Sequence, residues 1–220
     1  MPKKRNDGRR RQSVITTIGV ALILAGFGFL GYVAWQYFGT DVISKHKQAE
    51  VKQGLVLDWD KGIDGDAIGL LRVERFGKDH EVPIVPTFGK GALARGVGWY
   101  EEGAKPGQVG NFAIAGHRVT HGEPFRDFLK LRKGDKVEVE TRTQIFTYVL
   151  RNNGTDIIVD FTSQWPLQSV PVEGKEKVGP TEPVLTMLTC SELFHTNDRS
   201  LVFGDLVSTV DKSKTTGSSN

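Results

Sequence analysis

Residues 183–205 read PVLTMLTCSELFHTNDRSLVFGD and hold the only cysteine of the chain, Cys190. An apolar run at 184–188 precedes this cysteine, and a second β-prone run at 201–203 follows Arg199. The pattern predicts a strand, a loop and a second strand. If these strands pair, Cys190 at the end of the first lies near Arg199 at the start of the second.

The lone cysteine has two interpretations. A thiol is a useful nucleophile only as thiolate, so a cation or an imidazole nearby would favour a reactive Cys190. Free cysteine is also among the most buried residue types, and Cys190 would then be a small, inert side chain. One cysteine cannot form an internal disulfide, and in an exported protein an odd cysteine indicates intermolecular pairing or a reactive thiol.

The N-terminal residues predict a membrane anchor. Residues 1–12 carry six Lys and Arg against one Asp, and the 25 residues at 14–38 carry no charge. The basic cluster alone would suggest nucleic-acid binding, but before a long apolar run it predicts a cytoplasmic N-terminus by the positive-inside rule. A cleaved signal peptide is the alternative. However, the apolar part of a signal peptide is only about 7–15 residues long and is followed by an A-x-A-like cleavage site, whereas the apolar run here is longer and does not end in such a site.

The chain divides into five predicted segments. These are a basic cytoplasmic segment at 1–12, a transmembrane anchor at 13–38, an extracytoplasmic stalk at 39–66, a β-rich domain at 67–211 and a polar tail at 212–220. The stalk is polar with a Gly- and Asp-rich end, and we expect a short helix in it near 42–52.

The domain that begins at residue 67 has the pattern of a mostly β protein. Short, partly alternating runs are separated by clusters of Gly, Pro and Asp. The predicted strands cover 69–75, 82–85, 112–115, 136–141, 144–151 and 157–161, and short helical turns are expected near 91–96 and 124–131. Because closure removes sheet edges, these strands predict a closed or nearly closed, antiparallel-rich β-barrel with long loops.

A histidine beside Cys190 would supply the general acid and base of acyl transfer. His80 falls in a polar turn, where we expect exposure to solvent. His117 comes directly after the apolar strand predicted at 112–115, and His121 is four residues further on. Because strand ends flank clefts, His117 is the best-placed partner for the thiol.

Three motifs resemble the sortase family, the membrane-anchored cysteine transpeptidases of Gram-positive cell surfaces. They are AGHR at 115–118, Thr-Cys at 189–190 and an arginine nine residues after the cysteine. The stretch GQVGNFAIAGHRVTHGEPF at 107–125 is similar to class E, the housekeeping-type group of high-GC Gram-positive bacteria. The resemblance runs from the anchor to about residue 211. It implies a closed eight-stranded sortase-type β-barrel with short helices after one N-terminal transmembrane helix.

The resemblance also implies roles for individual residues. Cys190 would be the nucleophile, His117 the general acid and base, and Arg199 the group that stabilises the oxyanion or holds the substrate. The residues implied to line the substrate groove are Thr120, His121 and Thr189. No cofactor and no metal are implied, since the scattered acids at 152–182 lack the compact spacing of a Ca²⁺ site.

The implied reaction cleaves an LPxTG-type sorting signal, LAxTG for class E, between Thr and Gly through a thioacyl enzyme. The amine of a peptidoglycan precursor then accepts the cleaved protein. The implied partners are surface proteins that carry a sorting signal, this precursor and the cell membrane, with no nucleic acid. The protein would be a single-pass monomer with an extracellular catalytic domain.

Other functions stay open from the sequence. Many class E members have Tyr where this chain has His121, which affects fine specificity. Pilin-polymerising sortases carry a lid with a DP-aromatic motif, of which this chain has only Asp58 and Trp59. A papain-like protease or amidase would need an Asn or Asp that orients its histidine and a helical nucleophile segment, whereas Cys190 follows a strand-like run. A non-catalytic, membrane-tethered β-barrel binding module, with Cys190 buried, is a further alternative.

Overall fold

The computed structural model describes residues 6–35, 39–175, 178–190 and 197–212. Parts of the predicted basic segment, anchor and polar tail lie outside the described residues, namely 1–5, 36–38 and 213–220. The chain forms two compact units, Met1–Thr40 and Asp41–Asn220.

The first unit contains one long helix, α1 (Asn6–Ala34). Its stretch Gln12–Ala34 is long and apolar enough to cross a membrane by length and composition. These 23 residues extend over about 35 Å at 1.5 Å per residue, against about 30 Å for the hydrocarbon core of a bilayer. The helix is therefore a candidate single-pass anchor.

The second unit is mostly β. Its helices are α2 (Thr40–Asp60) and α3 (Lys90–Leu93). Its strands are β1 (Gly69–Val73), β2 (Val82–Pro86), β3 (Val97–Trp99), β4 (Gly110–Ala115), β5 (Lys136–Glu140), β6 (Gln144–Leu150), β7 (Ile157–Asp160), β8 (Pro183–Cys190) and β9 (Asp198–Asp211). Single 3₁₀ turns occur at Glu74–Phe76, Phe128–Lys130 and Trp165–Leu167.

Eight strands close into a barrel because β9 pairs with both β8 and β6. Their order is β6-β5-β1-β2-β3-β4-β8-β9, and the β6–β9 pairing joins the two ends. Strand β9 is 14 residues long, so 204–211 pair with β6 while 198–201 pair with β7, a ninth strand beside the barrel. The closed eight-stranded barrel predicted from the sequence is confirmed.

The barrel interior is filled by apolar side chains from alternating strand positions. On β5, for example, Val137 and Val139 are fully buried while their neighbours are partly or fully exposed. Strand β4 is buried at every residue, as expected for a strand covered on both faces. Most neighbouring strands are antiparallel, but β2 with β3 and β4 with β8 are parallel.

Helix α2 is longer than the short helix expected near 42–52, and one of its faces is covered by the barrel. Leu55 is only 2% exposed on this face. The apolar cluster around Leu55 consists of Ala67, Leu70 and Val85, with Val51, Trp59 and Ala92 packed against it. Helix α2 is therefore part of the compact unit, whereas the stalk boundary at residue 66 stays a prediction.

Two polar contacts add to this packing. The Lys52 ammonium lies 2.7 Å from Glu81 Oε1, and the Lys212 ammonium lies 4.4 Å from the centre of the Trp59 ring. Asp58 and Trp59, which gave the hint of a lid, thus belong to the last turn of α2, and Trp59 packs on the barrel side.

We predict that the packing of α2 is energetically significant. Leu55→Ala should lower the free energy of unfolding of the 41–220 unit by about 2–5 kcal/mol, because it leaves a cavity in a buried cluster. Leu57→Ala on the same helix is the matched control, since Leu57 is 50% exposed, and its effect should stay within about 0.5 kcal/mol. Urea unfolding measures both. Equal effects of the two substitutions would show that α2 does not pack as described.

Candidate active site

The parallel pairing of β4 with β8 brings the two key positions to the same edge of the barrel. Ala115, the last residue of β4, lies opposite Leu188 of β8. Extending this register by two residues on each strand puts His117 opposite Cys190. Strand β9 continues the row, because Cys190 pairs with Arg199 across the antiparallel β8–β9 ladder.

The pairing continues past the last residue of β4 through two hydrogen bonds. The Gly116 N–H donates to the Leu188 carbonyl over 3.2 Å, and the Thr189 hydroxyl donates to the Gly116 carbonyl over 2.8 Å. Thr189 is only 2% exposed. Its described contact therefore holds β8 to the residue before His117. The groove-lining role of Thr189 stays a prediction.

Arg199 is half-buried at the start of β9. Its Nη1 donates to the carbonyl of Asp198 over 2.9 Å, and its guanidinium lies 6.0 Å from the centre of the Phe161 ring on the neighbouring β7 side. A planar cation at this position suits a carbonyl or oxyanion group bound beside the strand ends.

The loop at 116–125 carries His117 and His121 and returns to its own starting point. The Phe125 N–H donates to the His117 carbonyl over 3.0 Å, and the Phe125 ring is fully buried. A Cβ at Gly116 would lie 2.8 Å from this ring, so only glycine fits without displacement. Gly116 and Phe125 thus fix both ends of the loop.

His80 is the tether at the end of this loop, and the expectation that it faces solvent is wrong. Its Nδ1 accepts a hydrogen bond from the Val73 N–H over 3.2 Å, so Nε2 carries the proton and donates to the Pro124 carbonyl over 3.0 Å. Burial lowers the pKa of His80. A neutral, doubly hydrogen-bonded imidazole fits a structural role.

The rings of His117 and His121 stack on one another. Their centroids are 4.6 Å apart and their planes are 23° from parallel. The Thr120 hydroxyl lies 2.9 Å from His121 Nδ1. The backbone of three successive residues is left-handed, with φ of 55° at His121, 82° at Gly122 and 50° at Glu123, and this turn folds His121 back over His117.

The surroundings of His117 favour its neutral form. Burial and the nearby His121 lower the pKa of His117 to about 4, and only the Asp41 carboxylate acts in the opposite direction. At neutral pH the ring is therefore uncharged, with one nitrogen available to accept a proton.

Two side chains of helix α2 contact this loop, and neither contact was predicted from the sequence. Asp41 Oδ1 accepts a hydrogen bond from the Gly122 N–H over 3.0 Å, and Gln48 Nε2 donates to the His121 carbonyl over 3.1 Å. They lie 81 and 73 residues from their partners, so no local motif records the contacts. A seven-residue spacing on one helix face is the only signal, and it is common to any helix.

A closed β-barrel that sets a cysteine, a histidine and an arginine on three neighbouring strand ends defines a candidate thiol acyltransferase. The family model of the sortase domain matches residues 71–207. The chain therefore belongs to the sortase family of cysteine transpeptidases.

Among its relatives, the chain is similar to sortase SrtE1 of Streptomyces coelicolor, with 34% identity over 90% of this chain and 58% of the relative. It thus spans less than two thirds of that protein. Sortase SrtE2 of the same organism is 27% identical over 94% of this chain and 87% of the relative.

The solved structures similar to this chain include sortase E from Streptomyces avermitilis. That structure is 32% identical, with a TM-score of 0.60 over 68% of this chain and 93% of the other. Sortase E1 from Streptomyces coelicolor, solved with a tripeptide in its active site, is 33% identical, with a TM-score of 0.56 over 70% of this chain and 95% of the other. The predicted resemblance to sortases, and to class E among them, is confirmed.

We predict that His121 adds to the effect of burial in lowering the pKa of His117. His121→Asn should raise the pKa of His117 from about 4 towards its ordinary value near 6.5, because repulsion from a second imidazole is removed while burial remains. Asparagine also tolerates the left-handed backbone at this position. An NMR titration of the histidine ring resonances measures the change.

The matched control is His46→Asn, since the His46 side chain is 76% exposed on helix α2. It should leave the titration of His117 unchanged. A His117 pKa that stays near 4 in His121→Asn would contradict the electrostatic coupling of the stacked rings.

Proposed function

We propose that the protein is a membrane-anchored, class E-type sortase. It cleaves a C-terminal LAxTG- or LPxTG-type sorting signal between Thr and Gly and transfers the protein to the amine of a cell-wall precursor. The observation that carries this proposal is the pairing of Cys190 with Arg199 beside strand β4, which ends two residues before His117, in a chain of the sortase family.

The first step is attack of the Cys190 thiolate on the carbonyl carbon of the signal's Thr. The carbonyl oxygen becomes a tetrahedral oxyanion, which needs donors aimed at the developing charge. Arg199 is the candidate side-chain donor, because its backbone is in register with Cys190. Such donors are typically worth about 3–4 kcal/mol of transition-state stabilisation.

His117 moves the protons of both half-reactions. As imidazolium it protonates the leaving Gly amine, which breaks the C–N bond and leaves a thioester on Cys190. As neutral imidazole it then removes a proton from the acceptor amine, which attacks the thioester and regenerates the thiol. One residue, two positions after the end of β4, thus serves both steps.

The low pKa of His117 determines how much enzyme is in the active form. At neutral pH the imidazole is therefore mostly uncharged, and the imidazolium that protonates the leaving amine is a minor population. We therefore expect a pH profile with an acid limb set by His117.

The stacked histidines also bear on specificity. His121 and Thr120 are half-buried beside His117, so they are the groove residues we propose to contact the sorting signal. The tripeptide bound by the similar sortase E1 supports a peptide substrate at this site. Many class E members have Tyr where this chain has His121, so this position bears on fine specificity for the sorting signal.

Helix α1 supplies the proposed anchor. With the basic cluster at 1–12 on the cytoplasmic side, a single crossing by 13–38 leaves the catalytic unit outside the cell. That location matches a substrate and an acceptor that both belong to the cell surface. The monomer is the proposed working form.

Transpeptidation with defined peptides tests this function. The full chain in detergent is incubated with fluorescent LAxTG and LPxTG peptides and a glycine-type amine, and products are followed by mass spectrometry. We expect a transfer product and a thioacyl adduct on Cys190, and neither in Cys190→Ala.

Arg199→Lys keeps the positive charge but loses the planar guanidinium group. It should lower kcat by about 10²–10³-fold with an unchanged melting temperature.

The outcomes separate the alternatives. Cleavage without transfer in the presence of the amine would contradict transpeptidation in favour of a hydrolase. Absence of an adduct on either peptide, together with a Cys190 that iodoacetamide does not label, would favour the binding module.

A further inference from the structure

Helix α2 presents one continuous face to the rest of its unit. Asp41, Ser44 and Gln48 follow one another at spacings of three and four residues, and Val51 and Leu55 continue the same stripe. The C-terminal half of the stripe is apolar and packs on the barrel. The N-terminal half is polar, and its Asp41 and Gln48 contact the loop that carries the stacked histidines.

The turn that these residues contact has an unfavourable backbone. His121 and Glu123 have positive φ values although neither is glycine, and such residues persist only where the surroundings fix them. A turn of this kind exposes backbone groups that no strand partner satisfies. Asp41 accepts the hydrogen bond of the Gly122 N–H, and Gln48 donates to the carbonyl of His121.

The fit between helix and turn is close. A Cβ at Gly122 would lie 2.6 Å from Gln48 Nε2, so the amide of Gln48 occupies the space that a side chain would need. The φ of 82° favours glycine at position 122, and a side chain there would displace the Gln48 amide from the turn.

We infer that Asp41 and Gln48 are positioning residues of the active site: helix α2 holds the 120–123 turn so that the His121 ring stays stacked on the imidazole of His117, the proposed general acid and base. The inference rests on the proposed function only in assigning proton transfer to His117. The stacking itself is a property of the folded chain.

Charge supports the same assignment. Among the described residues, the charged and titratable groups that act on His117 are His121 of its own loop and Asp41 of α2. Asp41 favours the protonated imidazole and His121 opposes it. The carboxylate that ties down the turn therefore also offsets part of the repulsion between the stacked rings.

Three variants of the full chain in detergent test the inference. Gln48→Ala and Asp41→Ala each remove one contact to the turn. Lys52→Ala is the matched control, because Lys52 joins the same helix to Glu81 of the barrel without touching the turn. Steady-state transpeptidation is measured across pH, and the melting temperature of each variant is recorded.

We expect Gln48→Ala and Asp41→Ala to lower kcat by about 10- to 100-fold with KM within about twofold, since a displaced proton-transfer group slows chemistry more than binding. Asp41→Ala should in addition move the acid limb of the pH profile to lower pH. Lys52→Ala should retain kcat. Equal losses of kcat in all three variants, or retention of kcat in the first two, would overturn the inference.

A second readout keeps the inference separate from the proposed function. Ring-current shifts of the His117 and His121 resonances report stacking whether or not the protein turns over a peptide. They should change in Gln48→Ala and Asp41→Ala and stay unchanged in Lys52→Ala. Unchanged shifts in all three variants would overturn the inference even if transpeptidation is observed.

Discussion

The parallel pairing of β4 with β8 is the constraint on which the site depends. Parallel neighbours end at the same edge of a sheet, so the residues that follow β4 and close β8 meet there. An antiparallel partner would have placed His117 at the opposite end of the barrel from Cys190. Because β9 runs antiparallel to β8, it begins where β8 ends, and Arg199 completes the row.

The loop after β4 must hold a histidine in place without being a strand. Its ends are fixed by the packing of Gly116 on Phe125 and by the hydrogen bond from His80 to Pro124. Its middle is a left-handed turn that regular structure cannot support. Helix α2 supplies the missing partners, so the site draws on an element from outside the barrel.

The barrel was predictable because strands leave a local pattern. The alternating pattern of β5 and the apolar runs of β4 and β8 predict strands, and the AGHR and Thr-Cys motifs indicate where the site lies. Strand β3 was missed because Val97–Trp99 is only three residues long and follows a helical turn.

The contacts that shape the loop were not predictable, for a physical reason. His80 lies in a polar stretch, and only the folded chain brings it to a carbonyl 44 residues away. The buried face of helix α2 was not predicted, because the half of this face that contacts the loop is polar. A hydrophobic period is visible only from Val51 onward. Hydropathy reports burial in an apolar core and does not report burial against backbone polar groups.

The match to the sortase domain begins at residue 71, after α2 has ended. The proposed catalytic residues His117, Cys190 and Arg199 therefore belong to the matched domain, whereas Asp41 and Gln48 belong to the segment between that domain and the candidate anchor. The hydrogen bonds of Asp41 and Gln48 thus connect the loop that carries His117, within the matched domain, to a helix that precedes this domain. The conformation of this loop therefore depends on contacts that the barrel alone does not supply.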